Sequence, residues 1–251
     1  MKAMFYSVIL AAFLFSLSSC NDSTTPNTPN PNDLGGNPNV DFTDVGDKTS
    51  CYLYFNETYI ENVKDSVIVT KNDNGIVTTF AKFTFDSTSV KSLDTLIGTH
   101  TLNRDQKFTI LNTYLKKFGV SLDTADRKSM NLTVNIKSRI TSEGIQDFMY
   151  SGGDMSKPFT LVKYSAIVGD KYEFTDNDNV KITRQVVYKS TTDDYDIVFW
   201  KIKVLKVEET KDDPIVQKIV YVANHKFGLV GVMVYFKNGS IVKFGLVPSN
   251  L

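Results

Sequence analysis

Histidine and cysteine are scarce in this chain: 251 residues hold two of each, His100, His225, Cys20 and Cys51. Two cysteines exclude an all-cysteine zinc site and a disulfide-rich scaffold. An excess of either charge is missing as well. Twenty-eight Lys and Arg balance 28 Asp and Glu with no long basic run, so no nucleic-acid partner is expected. Catalytic signatures are absent too: there is no G-x-S-x-G elbow, H-E-x-x-H, P-loop or G-x-G-x-x-G. What the chain does have is apolar material, 41% hydrophobic and 12% aromatic residues. That is enough for a core, and it argues against wholesale disorder.

The N-terminus reads Met1-Lys2-Ala3, then an apolar run from Met4 to Leu17, then Ser18-Ser19-Cys20-Asn21. One positive charge before a run of this length has the form of a secretory signal. A permanent bilayer span needs about 20 apolar residues, so the run is too short for one.

Leu17-Ser18-Ser19-Cys20 resembles the lipobox of bacterial lipoproteins: an aliphatic residue, two small ones, then cysteine. The resemblance implies that the Cys20 thiol receives a diacylglycerol. Cleavage then leaves Cys20 first in the mature protein, with its new amine acylated in turn. Two or more acyl chains hold a protein stably at a bilayer, each buried CH2 contributing about 0.8 kcal/mol. The expected location is the bacterial cell envelope, with the membrane as a partner through the anchor. In the enterobacterial sorting pattern of this family, Asp after the cysteine favours the inner membrane. Asn21 stands there, so the resemblance implies the outer membrane and leaves the leaflet open.

Residues 21–48 hold four of the seven prolines, at 26, 29, 31 and 38, among Asn, Thr and Gly. Such a composition buries too little apolar surface to offset chain ordering. It reads as a disordered tether with an r.m.s. span of roughly 30 Å.

From Thr49 onward the dominant signal is period-two alternation of β-branched and aromatic residues. Strands are expected at Cys51–Asn56, Ser66–Lys71, Ile76–Phe85, Leu132–Ile140 and Gln146–Tyr150. A second group follows at Lys171–Phe174, Val180–Lys189, Ile197–Val207, Ile215–Ala223, Leu229–Lys237 and Ser240–Val247. Short turn clusters separate them, which implies antiparallel neighbours, since a parallel pair needs a long crossover. The fold class is mainly β, a sandwich or curved half-barrel of antiparallel sheets. The domain spans 49–251, with two halves, 49–158 and 159–251, as one arrangement.

One helix is expected over Asp105–Phe118, where Phe108, Leu111, Leu115 and Phe118 form a stripe. A second, shorter one is expected near Leu122–Lys128. From about Lys163, opening with Val168-Gly169-Asp170-Lys171-Tyr172, the strand-rich half resembles the curved half-barrels of envelope lipid carriers. That resemblance is architectural, and no motif residue carries over.

Asn238-Gly239 is the preferred pair for a two-residue type I′ turn, which would set Phe236 opposite Ile241. One face of that hairpin would then carry Val230, Val232, Val234, Phe236, Ile241, Lys243 and Val247. Tyr235, Met233, Val242, Phe244, Leu246 and Leu229 would share the other. Both faces are apolar apart from Lys243, so a helix, a second sheet or an apolar ligand must cover the outer one. Val230, Val232, Val234, Phe236, Ile241 and Lys243 are therefore the candidate ligand-binding set. In Ile197–Val207 the apolar parity switches near Leu205, which predicts a bulge, and Trp200 is expected in the core.

Candidate chemistry is thin. His225 lies in a polar turn between apolar strands, and Cys51 reads as a small buried hydrophobe. Asp176/Asp178, Asp193/Asp194/Asp196, Glu208/Glu209 and Asp212/Asp213 read as solvated turns. No catalytic residue, metal site or cofactor is expected. The leading expectation is a non-enzymatic binding or structural domain, with an apolar small molecule or an envelope protein as partner. The rivals are an envelope polymer or glycan hydrolase, whose two carboxylates or His225 set would converge in one cleft, and a protein–protein adaptor.

Overall fold

The computed structural model describes residues 33–61, 63–88, 121–123, 129–197, 200–213 and 216–249. The strands are β1 (Lys48–Phe55), β2 (Thr58–Tyr59), β3 (Val63–Asp73), β4 (Ile76–Asp86), β5 (Ser121–Asp123), β6 (Ser129–Thr141), β7 (Gly144–Asp147) and β8 (Phe159–Lys163). They continue as β9 (Lys171–Thr175), β10 (Lys181–Lys189), β11 (Tyr195–Ile197), β12 (Trp200–Ile202), β13 (Leu205–Lys211), β14 (Val216–Asn224), β15 (Gly228–Phe236) and β16 (Ile241–Pro248). The expected helix Asp105–Phe118, His100 and Cys20 lie outside the described residues.

Fourteen strands form one antiparallel sheet in the order β8-β7-β6-β4-β3-β1-β16-β15-β14-β13-β10-β9, with β2 beside β1 and β5 beside β6. The sheet curls into a nearly closed barrel. Its order follows the chain like a meander, with one exception. The first and last long strands, β1 and β16, pair in the middle of the wall, in register from Thr49 opposite Pro248 to Phe55 opposite Val242. The gap falls instead between β8 and β9, which are neighbours in the chain.

Alternation builds the wall. Along β6, Met130, Leu132, Val134 and Ile136 point inward, and along β1, Leu53 and Phe55 do the same. They join Phe83, Tyr221, Val232, Val234, Phe236 and Phe244 in one hydrophobic cluster that runs across residues 53–246. Cys51 sits half-buried against it, and burial pushes its thiol well above the usual range.

The C-terminal hairpin departs from expectation. Phe236 bonds Ser240 rather than facing Ile241: its N–H reaches Ser240 O at 2.9 Å, and its carbonyl accepts Gly239 N–H at 2.9 Å. Only Gly239 has positive φ there, at 88°. The loop is thus three residues long, and Val234 faces Val242 while Tyr235 faces Ile241. The cause is distant in sequence. Asn56 claims the Ile241 backbone, its Oδ1 accepting Ile241 N–H at 2.8 Å and its N–H donating to Ile241 O at 2.9 Å. An identical dipeptide, Asn74-Gly75, has no such competitor. It takes positive φ at both residues and joins β3 to β4 as a two-residue turn.

Three further expectations change. Residues 121–123 are a strand on β6 rather than the start of a helix. Ile197–Val207 is not one strand: Tyr195–Ile197 and Trp200–Ile202 form a separate hairpin, and the chain resumes at Leu205 in the main sheet. Trp200 is 44% exposed rather than core, although it pairs with Ile197 and shares a strand face with Ile202. The hairpin is what covers the outer face of β14 and β15. Ile197, Ile202 and Val204 pack on Val222 and Val230, and Tyr195 lies over Gly231, where an added Cβ would meet its hydroxyl at 2.9 Å.

Candidate functional site

Two places combine enclosure with chemistry. The first is a cavity of about 140 Å³ at one end of the barrel. Val67 and Val69 of β3, Ala81 of β4, Ile136 of β6, Leu161 of β8 and Leu246 of β16 line its wall. Thr79 and Ala81 are the reason for the space. They are inward positions where small side chains stand among bulky neighbours, so the interior is not filled. Asp47 and Lys48 are the charged groups on its lining, beside Phe42 and Phe227. An engineered cavity of about 150 Å³ lined by aliphatic residues stays dry and takes up benzene or xenon. This one suits an apolar group of similar size, one ring or a short branched chain, with a polar end toward Asp47 and Lys48.

The chain before β1 runs across this end of the barrel. Ser142 N–H donates to Asn37 O at 2.8 Å, and Asn37 N–H to Ser142 Oγ at 2.9 Å. Gly46 N–H donates to Val69 O, and Val69 N–H to Asp47 O, both at 2.9 Å. Asn72 Nδ2 holds the Thr43 carbonyl at 3.0 Å, and Arg139 pairs with Asp33 at 3.1 Å. The segment read as tether up to Lys48 is thus fastened from residue 33 onward. Its Leu34, Pro38 and Phe42 supply apolar contacts that the Pro- and Asn-rich composition conceals.

The second place is the gap between β8 and β9, where a charged cluster lies inside the barrel. Arg184 of β10 is fully buried. Its Nε donates to Glu209 Oε2 at 2.7 Å, and its Nη1 to the Phe159 carbonyl at 3.3 Å. Nη2 lies 2.8 Å from Asp147 Oδ2, a charge contact outside hydrogen-bond angles. Glu209 also accepts from Tyr150 at 2.5 Å and Tyr221 at 3.2 Å. The Phe159 ring lies under the guanidinium, 3.9 Å from its carbon. Apart from Tyr150, which lies between β7 and β8, these groups come from β7, β8, β10, β13 and β14, so one cation ties the β8 margin of the gap to β10, the strand beside β9.

Burial pushes the Asp147 carboxyl up, and Glu209 adds to that, while Arg184 opposes it. With its folded pKa raised, Asp147 holds its proton more tightly in the fold than in the unfolded chain. Its contribution to stability therefore falls as pH rises from the ordinary carboxylate range through the raised value. Asp147→Asn mimics the protonated acid, so wild type should lose stability relative to this variant across that window. Paired thermal melts between pH 4 and 7 check the sign, and a gap that moves the other way would refute the assignment.

The hydrolase expectation required two carboxylates in one cleft. Asp147 and Glu209 do converge, but on an arginine in a closed interior that leaves no room for a glycan between them. His225 sits exposed in the β14–β15 turn, where Asn224 Oδ1 is occupied by the N–H groups of Lys226 and Phe227. Among the described residues no group of three or more His, Cys, Asp or Glu could hold a metal ion. The other acids serve turns and surface pairs. Asp176 Oδ1 accepts Asp178 and Val180 N–H, Asp194 accepts the Ser190 and Tyr188 hydroxyls, and Glu208 pairs with Lys218 at 2.7 Å.

The six candidate ligand-binding residues are divided between faces. Val232, Val234 and Phe236 point into the barrel core. Val230 packs outward under the β11–β12 hairpin, displaced by a bulge between Val222 and Ala223. Ile241 and Lys243 face outward, opposite Tyr235 and Met233. None lines the cavity, but Leu229 and Leu246 of the same two strands do. Comparison with protein families, with curated proteins and with solved structures finds no match to this chain.

Proposed function

We propose that this protein is a lipid-anchored component of the bacterial cell envelope, outer membrane favoured, whose β-barrel holds a small apolar ligand without transforming it. The signal-like N-terminus and the lipobox resemblance at Cys20 support the location. The observation that carries the binding reading is the mainly apolar cavity of about 140 Å³, whose lining suits retention of an apolar group. The size sets the ligand class: a single ring or short branched chain enters whole, and a longer acyl group leaves most of its length outside.

Mass spectrometry tests both parts. Material from the native host should yield an N-terminal peptide that begins at acylated Cys20. Native spectra of the full-length Cys20→Ala chain should show a small apolar adduct, or take up fluorobenzene when it is supplied. Ala81→Leu, which fills the cavity, should abolish the uptake. A bare thiol, or Met1–Ser19 still attached, would remove the anchor. Equal uptake by wild type and Ala81→Leu would remove the cavity.

A further inference from the structure

Residues 33–47 cross the end of the barrel where the cavity lies, and three turns receive them on glycines. At Gly144, the first residue of β7, an added Cβ would stand 2.1 Å from the Val162 carbonyl oxygen and 2.9 Å from Leu34 Cδ1. At Gly75, between β3 and β4, it would stand 2.9 Å from Pro38 Cβ. At Gly228, opening β15, it would stand 2.5 Å from Phe42 Cε2. Three separate hairpins thus leave out a side chain where one apolar residue of the strap comes down. The third of those residues, Phe42, is itself part of the cavity lining.

We propose that residues 33–47 form a displaceable lid, with Phe42 as its stopper, and that ligand enters and leaves when the strap lifts from its glycine seats. The inference rests on the binding reading above and adds how the site is controlled. Several observations support a part that lifts. The strap adds no strand to the barrel, and it is fastened by hydrogen bonds at a few points and one ion pair. Gly35, Gly36 and Asn37 are exposed, and Phe42 is only half-buried. Thr43, by contrast, is buried and held by Asn72, which makes it the natural hinge.

The strap also joins the cavity to the anchor. Twelve residues separate Cys20 from Asp33, a reach of at most about 45 Å. Tension in that length pulls on the Leu34 end of the strap first and on Phe42 last. A barrel drawn away from the bilayer would therefore open its cavity, and one resting against it would keep the cavity shut.

A reversible lock tests this. The paired bonds between Asn37 and Ser142 set the two backbones side by side, at the kind of separation a disulfide spans. In the full-length Cys20→Ala chain, Asn37→Cys with Ser142→Cys should form that bond on oxidation. Exchange of fluorobenzene, followed by 19F NMR, should then slow at least tenfold and recover on reduction. Phe42→Ala, which removes the stopper without altering a strand of the barrel, should speed exchange several-fold with the lock open. Equal exchange in oxidised and reduced protein, with binding retained, would overturn the lid and leave the cavity standing. Absence of a bound signal in every variant, Phe42→Ala included, would overturn the cavity and the lid with it.

Discussion

Arg184→Met should destabilise the barrel by about 3–5 kcal/mol, the cost of removing one partner from a buried ion cluster. The side chain is not large enough for the loss to be one of packing alone. Without the guanidinium, Asp147 and Glu209 face each other in a buried interior, and at least one must take up a proton or the wall must part. The Phe159 carbonyl loses its donor at the same time, and the Phe159 ring loses the cation above it. Urea titration should show the midpoint falling steeply. The reverse experiment separates charge from packing. Arg184→Met combined with Asp147→Leu and Glu209→Leu removes all three charges together and should recover most of the loss. A triple variant as unstable as the single one would mean that geometry, and not charge balance, holds the gap.

Gly144→Ala should cost about 3 kcal/mol, at the upper end of what an added methyl group does in a packed interior. The new Cβ would lie 2.1 Å from the Val162 carbonyl oxygen and 2.9 Å from Leu34 Cδ1. The first neighbour is backbone of β8 and cannot rotate away, so β7 and β8 must separate at the margin of the barrel that Arg184 secures. Gly239→Ala provides the control. Its added Cβ meets nothing within 4 Å, and only the positive φ of 88° opposes it. That change should cost about 1 kcal/mol. If the two substitutions cost the same, the crowding at Gly144 is not the operative factor. Hydrogen exchange at β8 in Gly144→Ala should rise more than at β15, because the disturbance begins at the gap.

The wall of the barrel was legible because period two needs no knowledge of the partner strand. Val77, Ala81, Phe83 and Phe85 alternate along β4 as they must if one side faces oil, and β6 does the same. Of the short strands, Lys171–Phe174 was legible as β9 and Phe159–Lys163 was not. Phe159-Thr160-Leu161-Val162-Lys163 is five residues behind a proline, too brief for alternation to register. The hairpin register failed for a different reason. Asn238-Gly239 carries a real local preference, and the side chain and backbone N–H of Asn56, 185 residues away, override it. That one-residue change moved Val242, Phe244 and Leu246 to the side of Val234 and split the proposed ligand set between two faces.

The cavity was hidden for a related reason. It exists where Thr79 and Ala81 are smaller than the barrel requires, and smallness in a strand has no signature until the opposite wall is known. Its cover was hidden inside a stretch that reads as tether, since three apolar residues among Pro and Asn do not announce a docked segment. Arg184, Asp147 and Glu209 were equally unreadable. Each sits singly in its own strand, and only closure of the sheet gathers them.

The pairing of β1 with β16 decides when this molecule can be finished. Residues 48–55 form their longest ladder with residues 241–248, so a chain released short of that stretch has two long bare margins in the middle of its wall. Such fragments would pair with one another before anything else. A chain that is complete through β16 before it folds escapes that hazard, whereas one halted by an early stop codon would act as seed for aggregates.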